Sequence, residues 1–94
     1  MKVRVTYKTG DIDLDDVFAG ENAKEIVSSI QKTTASRSSN MGYMIQGLTP
    51  EEFAWEAIKY VNNERGWDLP IPYNCDQFVD VGMKGGFIKP VLNE

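Results

Sequence analysis

KVRVTYKTGDIDLDD, residues 2–16, is the stretch that decides the fold. Val3, Val5 and Tyr7 alternate with Lys2, Arg4, Thr6 and Lys8, the period-two pattern of a strand with one buried face. Thr9-Gly10 is a turn signal, and Ile12 and Leu14 then alternate with Asp11, Asp13 and Asp15. A two-residue loop at 9–10 predicts a hairpin. It sets Tyr7 opposite Ile12 and Val5 opposite Leu14 on the apolar face. On the other face Lys8 meets Asp11 and Arg4 meets Asp15. One register satisfies both faces, by apolar contact and by charge. The phase breaks at Val17, Phe18 and Ala19, which predicts a bulge or the end of the strand.

Working outward, Asn22 with Glu25 three residues on forms a helix-opening capping box. Ala23, Ile26, Val27 and Ile30 follow as one apolar stripe at helical spacing. TTASRSSN, residues 33–40, has a single apolar residue, Ala35, and reads as a loop. Residues 41–46 read as a third strand closed by Gly47. The next helix carries the fullest signals. Thr49 is its N-cap, Pro50 its first residue, Glu52 completes the box, and Gly66 fits the left-handed C-cap. Pro70 and Pro72 impose an extended connection. Asn74 with Gln77, and Tyr73 placed to staple Phe78, open a short helix over 75–84 that Gly85-Gly86 stops. Phe87-Ile88 adds a final edge strand before Pro90. The resulting order is ββαβα(α). It predicts one α+β domain over residues 1–94, with helices on one face of an antiparallel sheet of three or four strands.

Composition narrows the chemistry. The 94 residues carry a formal charge of −4, one cysteine and no histidine. Without histidine there are no Ser–His or Cys–His nucleophile pairs, and the commonest metal ligand is missing. One cysteine makes no internal disulfide and no cysteine-based metal site. No apolar run approaches the ~20 residues that span a bilayer, and the alternating N-terminus does not read as a secretory signal. The expected setting is soluble, reduced and cytoplasmic, with no membrane partner, no general nucleic-acid binding, no cofactor and no metal. The aspartates of DIDLDD could present oxygens to a metal, but pairing of Asp11 and Asp15 with Lys8 and Arg4 uses them structurally.

Asn74-Cys75-Asp76-Gln77-Phe78-Val79 resembles the Asn-Cys-x-x-Phe segment around the nucleophile of permuted NlpC/P60-like acyltransferases and thiol hydrolases. The resemblance covers six residues. It implies a Cys75 nucleophile whose pKa the helix N-terminus lowers. The histidine base of that family has no counterpart in this chain. Cys75 also centres the stripe of Phe78, Val79 and Met83, where a free cysteine acts as a small buried hydrophobe. A thiol enzyme at Cys75 is therefore the third reading of function. The second is a small-molecule binder. Residues 32–43 carry Lys32 and Arg37 without an acid, and Ser38, Ser39 and Tyr43 complete a candidate site for a phosphate-containing ligand.

The first reading rests on Trp55. With Phe53 at zero, the apolar arc of the 50–65 helix runs from Tyr60 near −20° to Ile58 near 140°, and Trp55 falls at about 200°. An indole on the polar side is either covered by the proline-rich segment or exposed as an interface anchor. Seven of the ten aromatics lie between residues 53 and 87, and Trp67 and Tyr73 are close to Trp55 in sequence. The sequence thus predicts a small, acidic, non-enzymatic binding module, such as a phage- or mobile-element-type inhibitor or regulator. It would contact a protein partner, or a second copy of itself as a homodimer, through Trp55, Lys59, Trp67 and Tyr73. Paired Glu52 and Glu56 lack ligands on a second helix and read as face charges.

Overall fold

The computed structural model describes residues 1–9, 12–38 and 42–91. Strands β1 (Lys2–Lys8) and β2 (Asp13–Ala19) form an antiparallel hairpin. Helices α1 (Ala23–Arg37), α2 (Gly42–Gln46), α3 (Pro50–Arg65) and α4 (Cys75–Gly85) follow, then β3 (Ile88–Pro90). β1 is central in the sheet order β2-β1-β3, and both pairings are antiparallel. Val3, Val5 and Tyr7 are buried on one face while Lys2, Arg4, Thr6 and Lys8 are exposed on the other. The helices therefore cover one face, and the fold is the expected α+β layer.

The hairpin register differs from the predicted one by two residues. Tyr7 faces Leu14, Val5 faces Asp16 and Lys8 faces Asp13. A shift of two preserves every inward and outward assignment, because side-chain direction repeats with that period. Arg4 still reaches Asp15, at 2.7 Å, now diagonally. The predicted Lys8–Asp11 pair lies outside the described residues. No bulge interrupts 17–19: β2 stays regular to Ala19, with Phe18 buried and Val17 exposed. The phase break is Asp16, a half-buried carboxylate on the inward side of an edge strand. Arg37, in the last turn of α1, answers it with two hydrogen bonds of 2.5 and 3.2 Å.

Two helix boundaries also differ. The predicted loop 33–40 is helical as far as Arg37. The buried face continues past Ile30 through Gln31, Thr34 and Ala35, so small and polar residues occupy positions where apolar ones were sought. The predicted strand at 41–46 is the short helix α2 over the described part. Gln31, itself buried, donates from Nε2 to the carbonyls of Ile45 and Leu48, both at 2.7 Å. These bonds hold the α2–α3 connection against α1, satisfying carbonyls that a strand would have paired. The third strand comes from 88–90 instead.

The remaining helix grammar holds. Thr49 and Glu52 form a reciprocal capping box with Pro50 in the first turn. Gly66 and Gly86 adopt left-handed C-caps. Asn22 and Asn74 accept from the third-residue amides, while Glu25 and Gln77 reach one residue further back, to Glu21 and Tyr73. Tyr73 is 87% exposed, so it does not staple buried Phe78. β3 closes the core on α4 at Gly82, where an added Cβ would collide with the Ile88 side chain.

Candidate functional site

Trp55 stands on the polar side of α3 as its helical angle requires, and 47% of it is exposed. The chain leaving α3 explains what covers the rest. Asn62 pins that segment by accepting from the Leu69 amide and donating to the Leu69 carbonyl, both at 2.9 Å. The prolines then carry the chain back along the helix, burying Pro72. Pro72 and Tyr73 face Trp55, Glu51 and Glu52 across a shallow cleft of about 250 Å³. The Lys59 ammonium lies 4.8 Å from the Trp55 ring centroid, and also 3.9 Å from Glu56.

The carboxylates differ in how far they are committed. Glu52 Oε1 accepts from the Thr49 amide in the capping box, and Glu51 lies 3.7 Å from Lys24. Both remain at the solvent margin, where such pairs leave most of the charge available. Of the four residues assigned to partner contact, Trp55 and Tyr73 line the cleft, and Lys59 lies over the Trp55 ring. Trp67 is 43% exposed but follows the C-cap of α3, whose last residue Arg65 is ~15 Å along the axis from Trp55.

The described residues of the candidate anion site lie on α1, at its C-cap and on α2. Lys32 and Arg37 lie on α1, and Arg37 is committed to Asp16. Arg37 also holds that carboxyl below the usual range, chiefly by hydrogen bonding. Ser38 is the buried C-cap of α1, its amide donating to the Ala35 carbonyl. Tyr43 is 93% exposed on α2, and Ser39 lies outside the described residues. Cys75 is buried, and burial pushes its thiol up, opposite to the shift a nucleophile requires. Among the described residues, no group of three or more cysteines, aspartates or glutamates is placed to hold a metal ion. No described helix is long and apolar enough to cross a membrane.

A second concavity had no counterpart in the sequence reading. A cavity of about 350 Å³ lies between the covered face of the hairpin and the helices, lined by Val5, Tyr7, Thr34, Ile45, Phe53 and Ala57 among others. Strand periodicity marks Val5 and Tyr7 as inward, but where inward-facing chains fail to meet is a property of the assembled shape. In comparison with known proteins, the chain matches no family model, no curated protein and no solved structure.

Proposed function

We propose that this protein is a non-enzymatic binding module that seats an arginine or lysine of a partner protein in the Trp55–Tyr73 cleft. The observation that carries this reading is the composition of the cleft: two exposed aromatic side chains, with Glu51 and Glu52 at its margin. Aromatic faces attract cations through their quadrupole, by about 0.5–1 kcal/mol at an exposed site, and nearby carboxylates complete the recognition of a guanidinium. Lys59 already occupies one approach to the indole, an internal example of what the ring accepts. The net charge of −4 would steer a basic partner toward the module and make association salt-sensitive. A cleft of this size takes one side chain, so affinity would come from neighbouring contacts as well. Inhibition or regulation by occupancy inside the cell fits such a module.

The test is isothermal titration with an acetylated Gly-Arg-Gly-Arg-Gly peptide and its glutamate counterpart. The arginine peptide should bind, more weakly at high salt, and Trp55→Ala should abolish binding while leaving the melting temperature unchanged. Equal binding of both peptides, or binding that survives Trp55→Ala, would refute the reading. A loss of cooperative folding in Trp55→Ala would make Trp55 a core residue and also count against it.

A further inference from the structure

We propose that the cavity between the hairpin and the helices is a binding site for a neutral, largely apolar small molecule with one hydrogen-bonding head. Close-packed interiors leave few voids larger than a water molecule, yet this one measures about 350 Å³. A cavity of about 150 Å³ lined by aliphatic and aromatic side chains holds benzene, so this volume suits roughly a dozen non-hydrogen atoms. The walls come from the hairpin, the four helices and Phe87 after α4, with Val5, Leu14, Ile45, Phe53 and Phe87 supplying apolar contact. Its exposed wall residues are Met44 of α2 and Glu56 of α3, which places the mouth between those helices.

The polar requirement of the ligand follows from two hydroxyls. Tyr7 and Thr34 both line the cavity, and both are at least nine-tenths buried. Tyr7 Oη and Thr34 Oγ1 are the buried side-chain polar atoms without a hydrogen-bond partner among the described residues. Arg65 lies over the Tyr7 ring, 4.8 Å from its centroid, near enough to oppose the rise in the hydroxyl's pKa but outside hydrogen-bond geometry with it. Buried polar groups are ordinarily paired, and a hydroxyl or carbonyl on the ligand would pair these. Glu56 is the charged side chain among the lining residues. Lys59 lies 3.9 Å from that carboxylate, and the lining residues include no lysine or arginine to pair a carboxylate ligand, so the head is neutral.

The experiment titrates the full chain with 2-naphthol, naphthalene and 2-naphthoate, followed by methyl chemical shifts and thermal melting. 2-Naphthol should bind saturably, raise the melting temperature and shift the methyls of Val5, Ile45 and Val61, leaving those of Val81 in place. Naphthalene should bind about tenfold more weakly, the ratio one hydrogen bond of ordinary net strength produces, and 2-naphthoate more weakly still. The Tyr7→Phe/Thr34→Val double variant should erase the advantage of 2-naphthol without weakening naphthalene. Ala57→Leu, which fills the cavity from α3, should abolish binding of both neutral probes. Absence of saturable 2-naphthol binding overturns the proposal, as does an advantage that survives the double variant or binding that survives Ala57→Leu. These measurements are independent of the Trp55 cleft.

Discussion

Replacing Gln31 by leucine removes the side chain that ties the α2–α3 connection to α1. The substitution keeps the volume and the helix propensity, so its cost isolates the two hydrogen bonds. Gln31 Nε2 donates to the Ile45 carbonyl in a buried setting and to the Leu48 carbonyl in a partly buried one. The Leu48 carbonyl loses its Gln31 donor at about 1–3 kcal/mol of desolvation. The Ile45 carbonyl keeps the Leu48 amide and loses one ordinary bond of about 0.5–1.5 kcal/mol, and the extra apolar burial of leucine offsets a fraction of that. The expected loss is therefore about 1–3 kcal/mol. A chain of this length has a total stability of about 5–14 kcal/mol, so the change is a large share of it. The melting temperature should fall by roughly 5–25 °C. Urea denaturation measures the loss directly, and hydrogen exchange localises it: the amides of Gly47 and Leu48, which donate to Met44 and Ile45, should lose protection before those of β1. A variant within about 0.5 kcal/mol of the parent would refute the assignment of Gln31 as the organising contact. It would mean that α2 is held by the apolar contacts of Ile45 alone.

Three further outcomes are expected. Tyr7→Phe removes an unpartnered buried hydroxyl and should stabilise the protein by about 1 kcal/mol. Burial raises the Tyr7 pKa above its ordinary value of 10.0, against the lowering effect of Arg65. Its stabilising contribution is thus complete below pH 10 and lost as pH rises through the folded value, and alkaline denaturation should retreat in the Phe variant. Arg37→Ala should return the Asp16 carboxyl upward toward the usual range, since Arg37 is the main cause of its lowered pKa; carboxyl-carbon NMR titration reads the shift. In the parent that contribution is present above the ordinary carboxylate pKa and disappears as pH falls through the lowered one. Cys75, buried with a raised thiol pKa, should resist alkylation at neutral pH until guanidinium unfolds the chain. Rapid modification of the folded protein would revive the thiol-enzyme reading.

Residues differ in how plainly the sequence announces their place. Thr49, Pro50, Glu52 and Gly66 mark α3 at both ends because capping is local chemistry, settled within four residues. Alternation gave the strand faces correctly but not the register. Displacing the turn by one residue leaves the same side chains inward, and charge pairing served both registers, since Arg4 reaches Asp15 either way. The end of α1 was obscured because Gln31 and Thr34 are buried by contacts from elsewhere in the chain. Short apolar stretches such as that in α2 carry too few residues to separate the two periods. Trp55 was legible as a residue out of place on its helix, and its company in part. The proline-rich segment and Tyr73, expected beside it, line the cleft with it, whereas Trp67, linked to it by proximity in sequence, lies past the end of α3.

The most direct measurement on the cleft is an amide and indole NMR titration of the protein with the arginine peptide. The chain has two tryptophans, hence two indole N–H signals, which Trp55→Phe assigns. The Trp55 signal should move saturably while that of Trp67, beyond the far end of α3, stays fixed. Lys59→Ala, which removes the competing cation from the ring, should tighten the binding. Movement of both indoles, of neither, or of Trp67 alone would contradict the assignment of the Trp55–Tyr73 cleft as the contact site.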